Sequence, residues 1–249
     1  MKLGLCLAGG GAKGAFQAGV IYGLYEKGLA FDIISGTSIG AINGYYIYTE
    51  NVNKLKEMWI NIQTIGENGV KIVGNTVDNS LAIDLLRELE DNSKDKKNFY
   101  VNYVKIDNSI MKEVIVDISK KSYDKGLESI KYSSLLPFRP SKDLNPNDQF
   151  KKDLIDGIYD GYKLDGGMLN NTLLKPLIDA TVDKIVLITM NKDFEIPEDI
   201  KNIYNEGNII IIRPNTEFEK NATLNFEGEF CKQIFNEGYE ISKFTNILG

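Results

Sequence analysis

Phe31-Asp32-Ile33-Ile34-Ser35-Gly36-Thr37-Ser38-Ile39-Gly40-Ala41 is the stretch that decides how the rest of the chain is read. Phe31 to Ser35 is a short apolar run of strand character, and the residues from about Ala41 onward read as a helix. Between them sits Gly36-Thr37-Ser38-Ile39-Gly40, a G-x-S-x-G pentapeptide. In a nucleophile elbow, the tight strand-to-helix turn holds the serine exposed above the sheet, and the flanking glycines let the two backbones pass closely. The competing reading is a Gly-rich turn with Ser38 as an ordinary helix N-cap. The base that usually activates such a serine is missing, because the chain contains no histidine.

Upstream, Leu3 to Ala8 reads as the first strand. It enters Gly9-Gly10-Gly11-Ala12-Lys13-Gly14, then a helix with Phe16, Val20, Ile21 and Leu24 on one face, ended by Gly28. A glycine loop beside the elbow strand can offer the amides of Gly10 and Gly11 to an oxyanion developing over Ser38. Gly9, Gly11 and Gly14 also match G-x-G-x-x-G, the dinucleotide fingerprint. That fingerprint needs an acid at the end of the second strand, where this chain has Gly36-Thr37-Ser38; the nearest acid, Asp32, stands at the strand's start. A phosphate-binding P-loop fails as well, since no Lys-Ser or Lys-Thr follows the glycines. Without histidine, the base for Ser38 is a carboxylate or a lysine. Asp165, which precedes Gly166-Gly167, stands out among the acids, and Lys13 in the glycine loop is the alternative.

Asn51 is placed to cap a third helix whose Val52, Leu55, Trp59 and Ile62 share a face. Residues 66–80 are Gly- and Asn-rich with little periodicity, which predicts a mobile loop near a site. Leu81, Leu85, Leu86 and Leu89 mark a short helix, and Asp91 to Lys97 a charged turn. Phe99 to Ile106 and Lys112 to Ile118 alternate at period two around Asp107-Asn108-Ser109, an antiparallel hairpin. A helix near 123–133 leads into the Pro-punctuated Ser133-Ser134-Leu135-Leu136-Pro137-Phe138-Arg139-Pro140. Asp160-Gly161 predicts a second hairpin between short β-like pairs. Lys184 to Met190 and Asn208 to Ile212 read as buried central strands, and 227–248 as a closing amphipathic helix. Without a linker or repeat, one domain over 1–249 is expected.

Composition narrows the function. With 249 residues, 43% hydrophobic and 26% charged, the chain can bury one large core. A net charge of -6 with interspersed Lys, Asp and Glu lacks the basic footprint of a nucleic-acid binder. Cys6 and Cys231 form no disulfide framework, which favours a reduced, cytoplasmic setting. No segment approaches the roughly 18 apolar residues that span a bilayer, so no transmembrane segment is expected.

Taken together, Gly9-Gly10-Gly11-Ala12-Lys13-Gly14, Gly36-Thr37-Ser38-Ile39-Gly40 and Asp165-Gly166-Gly167, in this order and spacing, resemble the patatin-like phospholipases. The resemblance extends to Ser133-Ser134-Leu135-Leu136-Pro137-Phe138, similar to the family's S-x-x-x-P loop, and to Asn170-Asn171; it runs from Lys2 to about residue 190, leaving a C-terminal strand and helix at 208–248. It implies an α/β fold, a three-layer α/β/α sandwich around a mixed, mainly parallel sheet. It further implies acyl-ester hydrolysis by a Ser–Asp dyad, with Ser38 as nucleophile, Asp165 as general base, and Gly10 and Gly11 as oxyanion donors. The expected substrate is a phospholipid or lysophospholipid met at a membrane or micelle surface, with no cofactor, no metal and no nucleic acid. The third motif ends Asp-Gly-Gly rather than Asp-Gly-Ala, a variant the family also shows. So compact a chain leaves little room for accessory domains, which fits a small bacterial-type lipid hydrolase better than an activator-dependent toxin.

Overall fold

The computed structural model describes residues 1–62, 70–93, 97–215, 217–219 and 221–247. Its centre is β1 (Leu3–Leu7), buried along its whole length. Leu3, Leu5 and Leu7 project into one apolar cluster, while Cys6 joins a second cluster on the opposite face. A strand apolar on both faces must be covered by helices twice, which is what a parallel central strand requires.

Beside β1 lie β2 (Ile33–Thr37) on one side and β8 (Lys184–Ile188) on the other, both parallel to it. Beyond β2 comes β5 (Asn98–Asp107), parallel to β2, and then β6 (Ile110–Asp117), antiparallel to β5. Beyond β8 comes β9 (Ile209–Ile212), also parallel. The short β7 (Lys163–Asp165) pairs antiparallel with β5 and completes a sheet of seven strands. A separate two-stranded ribbon, β3 (Ile72–Val73) and β4 (Thr76–Val77), stands apart from it.

One face carries α1 (Gly14–Glu26), α2 (Ile39–Tyr48), α3 (Val52–Ile60), α4 (Ser80–Arg87) and the last helix, α9 (Gly228–Phe244), around a core that includes Phe16, Leu55, Trp59 and Phe235. The other face carries α7 (Lys175–Asp179) and α8 (Glu198–Lys201), through Leu177 and Ile200. The fold is therefore an α/β/α sandwich with a mixed, mainly parallel sheet. Helices α5 (Tyr123–Ser133) and α6 (Pro146–Ile155) flank the β5–β7 end of the sheet. The closest helix pairing is between α1 and α9. A methyl group on Gly19 would sit 1.9 Å from the Phe235 carbonyl oxygen, and one on Gly238 would sit 2.1 Å from that of Phe16. Gly19 faces Phe235 and Gly23 faces Ser242, so the helices run parallel and Phe244 emerges at the edge of the sheet where β1 begins.

Several sequence expectations need correction. Asp160-Gly161 turns the chain, with Gly161 at φ 83, but no strand precedes it. The turn follows α6, which the sequence reading had not assigned, and the residues after it pair with β5 instead. The Asn208 to Ile212 run does form a strand, yet it occupies the sheet edge rather than the centre. Asn51 stands at the N-cap position of α3 without capping it; its amide nitrogen donates to Thr49 O and Glu90 O instead, tying two loops together. The expected loop at 66–80 holds the β3–β4 ribbon, while 63–69 lie outside the described residues, as do 94–96 of the charged turn and residue 248 at the end of the 227–248 segment.

Gly19→Ala tests the α1–α9 contact. Alanine gains up to about 1 kcal/mol in helix propensity, whereas overpacking a backbone-to-backbone contact costs about 1–3 kcal/mol. The expected outcome is a net loss, read as a melting temperature lowered by a few degrees in calorimetry.

Candidate active site

Strand β5 brings the two halves of the site together. On one edge it pairs with β2 up to Thr37, opposite Asn102, and the next residue of β5, Tyr103, is opposite Asp165 of β7. Two strands thus meet end to end along one neighbour, and the residue after Thr37 abuts Asp165. Ser38 has φ 57 and ψ -125, a conformation costly for a residue with a Cβ, and it starts α2 without capping it. Its hydroxyl Oγ donates instead to Asp165 Oδ2 at 2.5 Å, and its backbone N–H donates to Ser133 Oγ at 3.0 Å. The N-cap reading of Ser38 is thereby replaced by an elbow held in strain on both sides.

Asp165 is buried, with 4% of its surface exposed, and no cation pairs with it among the described residues. Burial penalises the ionised form and pushes its pKa from 3.8 up to about 6, against the opposing pull of hydrogen bonds from Ser38 and from the Gly167 N–H, which donates to Oδ1 at 2.8 Å. The Asp-Gly-Gly motif thus acts locally, its second glycine supplying the amide that orients the carboxylate.

The glycine loop reaches the same spot. Gly9 and Asn171 are clamped reciprocally: Gly9 N–H donates to Asn171 O at 3.3 Å, and Asn171 Nδ2 donates to Gly9 O at 3.2 Å. At Gly11, φ is 58 and a Cβ would lie 2.1 Å from the Thr223 carbonyl oxygen, so only glycine fits. Neither Gly10 N–H nor Gly11 N–H donates to a protein acceptor among the described residues, and both residues line the cavity beside Ser38. Ile39 N–H, the first of α2, is likewise undonated there. A buried side-chain relay holds the two ends of the loop. Trp59 Nε1 donates to Asn43 Oδ1, Asn43 Nδ2 to Gly14 O and Gln17 Oε1, and Gln17 Nε2 to Ala8 O, at 3.0 to 3.1 Å.

Lys13 also lines the cavity, and partial burial lowers its pKa, but the hydrogen bond of Ser38 goes to Asp165 and not to Lys13. Asp32, weighed above for a dinucleotide site, accepts from Leu3 N–H at 2.7 Å at the far end of β2. The cavity over Ser38 and Asp165 measures about 1050 Å³, with walls that include Ile42, Val77, Leu81, Leu136, Met168 and Phe226. Phe226 comes from a wall at 223–228 that the sequence does not announce.

The sequence reading also missed Asn102. Fully buried, it accepts from Thr37 Oγ1 at 2.8 Å, donates to Asn170 O at 2.9 Å, and donates to Glu113 Oε1 at 2.8 Å. One side chain thereby braces the residue before Ser38 and the segment after Asp165. A polar residue among the apolar positions of β5 was the only available signal.

Fold and site define an α/β chain with a strained serine beside a buried aspartate, and the model of the patatin-like phospholipases matches residues 5–118, from within β1 to the first residue after β6. The relatives match one short stretch. Lysophospholipase nte1 of Aspergillus terreus is 62% identical over 43 residues, 17% of this chain and 3% of that protein. The patatin-like phospholipase domain-containing protein ZK370.4 of Caenorhabditis elegans is 52% identical over 48 residues, 19% of this chain and 4% of that protein. The chain thus covers a small fraction of the length of these relatives. Among solved structures, VipD from Legionella pneumophila superposes with a TM-score of 0.52 at 13% identity, covering 97% of this chain and 66% of VipD. The type III effector protein ExoU superposes with a TM-score of 0.53 at 12% identity, covering 97% of this chain and 52% of ExoU. Both share the fold.

Two outcomes test the geometry without reference to activity. A carboxyl whose pKa is raised on folding favours the fold fully below pH 3.8, and that contribution is lost as pH rises through about 6. Asp165→Asn should therefore match the wild type in stability near pH 3.5 and exceed it by up to about 3 kcal/mol at pH 8, measured by urea denaturation across pH. Asn102→Ala, which removes three hydrogen bonds and leaves the Thr37 hydroxyl and the Asn170 carbonyl only their mutual 3.4 Å contact, should cost about 1–3 kcal/mol in the same assay.

Proposed function

We propose that this chain is a serine acyl hydrolase acting on lipid esters of the phospholipid or lysophospholipid class. The observation that carries the reading is the 2.5 Å hydrogen bond from Ser38 Oγ to a buried Asp165, beside two undonated glycine amides. The match to the patatin-like phospholipases and the lysophospholipase relatives support the substrate class.

Ser38 Oγ attacks the ester carbonyl carbon as its proton passes to Asp165 Oδ2. An aspartate with a pKa of about 6 is a stronger base than an ordinary carboxylate, and it is still mostly ionised at neutral pH. The oxyanion that forms is received by the N–H groups of Gly10 and Gly11, whose dipoles are already oriented by the loop. Collapse of this intermediate breaks the carbon–oxygen bond to the leaving alcohol, which takes the proton from Asp165 and leaves an acyl ester on Ser38. Water, deprotonated by Asp165, then releases the fatty acid and restores the serine. The apolar cavity receives the acyl chain. We place the whole reaction within one patatin-like domain spanning the chain, with peripheral contact to lipid.

Fatty-acid release from phosphatidylcholine and from a lysophospholipid, together with hydrolysis of a short-chain p-nitrophenyl ester, tests the assignment. Ser38→Ala and Asp165→Asn should each lower kcat by at least about a thousandfold. A fluorophosphonate probe should label the wild type and leave Ser38→Ala unlabelled. Turnover surviving in Ser38→Ala refutes the nucleophile; turnover surviving in Asp165→Asn refutes the base. The kcat/KM profile should fall on the acid side with a limb near pH 6, the ionisation of Asp165.

A further inference from the structure

The β3–β4 ribbon belongs to no layer of the sandwich, yet it is firmly held. Val77 N–H donates to Leu136 O and Phe138 N–H donates to Asn75 O, each at 2.9 Å, and Tyr159 OH donates to Asn75 O at 3.1 Å. The loop it is bonded to reaches the dyad, because Asp165 N–H donates to Leu135 O at 3.0 Å. Residues on both sides of the ribbon tip, Val70, Lys71, Val77 and Asp78, line the cavity. The tip residues do not. Ile72 and Val73, on opposite faces of the ribbon, are not among the residues that line it and are 37% and 53% exposed, and Leu81, on the cavity rim, is 49% exposed. A ligand enclosed in the cavity would leave these tip side chains in water.

We propose that the β3–β4 tip is the element by which the protein docks on an electrically neutral, zwitterionic lipid surface, so that the cavity mouth opens against the acyl layer. The inference rests on the reading of the cavity as an acyl-ester site, since continuity of the tip with the cavity mouth is what selects a lipid surface as occupant. Charge selects the kind of lipid. The ribbon base carries one lysine and one aspartate, Lys71 and Asp78, 3.9 Å apart, and the chain as a whole carries -6. An anionic surface would be repelled at long range and find no net positive charge on the ribbon. A neutral surface accepts the tip through burial of its apolar side chains alone.

Cys6 and Cys231 are both buried, so a single surface cysteine can be labelled selectively. Full-length Ser38→Ala protein carrying Val73→Cys is labelled with an environment-sensitive fluorophore and titrated with phosphatidylcholine vesicles. Phe244→Cys, at a residue 87% exposed and at the opposite end of the sheet, serves as the comparison. The label at 73 should shift to the blue and the label at 244 should not. Ile72→Glu with Val73→Glu should weaken vesicle co-sedimentation by at least about tenfold, while hydrolysis of the soluble p-nitrophenyl ester stays within about twofold of wild type. Added salt should leave vesicle binding unchanged.

No shift at 73, equal shifts at 73 and 244, or binding that requires anionic lipid would overturn the proposal. So would a shift at 73 that develops without lipid as the protein concentrates, which would make the tip a contact between two copies. The two readings fail separately. Soluble-ester turnover without vesicle binding removes the docking tip and leaves the hydrolase; vesicle docking through position 73 with no turnover of any ester does the reverse.

Discussion

Thr37 and Asp165 face consecutive residues of a single strand, Asn102 and Tyr103, on the same edge of β5. The rest of the site depends on this sharing. The side chains of Ser38 and Asp165 come from residues 127 positions apart, yet their separation is set by the repeat of a strand that neither belongs to. Strand registers are stiff, because a slip of one residue reverses the face of every side chain. Asn102 then reinforces the register with three hydrogen bonds from one buried amide.

Burial adds the electrostatic half. A carboxylate withdrawn from water and left without a cation has two ways to be satisfied: by taking a proton, or by accepting hydrogen bonds. Asp165 uses both, with Ser38 and Gly167 as donors and a pKa raised to about 6. The strained backbone at Ser38 belongs to the same arrangement, since the hydroxyl bonds Asp165 from that conformation, and the Ser133 hydroxyl helps to hold it.

How far the sequence carries can be judged element by element. The glycine loop, the elbow and Asp-Gly-Gly are legible because each needs particular residues at a tight turn, and a local requirement leaves a local mark. The parallel central strands are legible as unbroken apolar runs. Position within the sheet is another matter. Ile209–Ile212 has the composition of a central strand, but its place at the edge follows from strand order, which no window of sequence contains. The pair Asp160-Gly161 does make a turn, but the strand after it finds a partner 58 residues earlier, at Lys105 opposite Lys163. Helix α6 was hidden by its weak apolar face, in which Gln149 and Asp153 are the buried residues and Asp153 is matched by Arg139. Asn102 was invisible for a related reason: a buried amide in a strand looks like an exception until its partners are known.

The parallel embrace of α1 and α9 has a consequence for how the molecule comes to exist. Helix α1 follows directly from the glycine loop, and α9 is the last helix in the described chain. Contacts between Gly19 and Phe235, or Phe16 and Gly238, join positions more than 200 residues apart. Such contacts are slow to form, because a long loop must close before they contribute anything. During synthesis at about 5–20 residues per second, the first helix therefore waits on the order of ten seconds or more for the surface that covers it. Until then the glycine loop rests on an uncovered helix, so the glycine-loop side of the site is begun first and finished last.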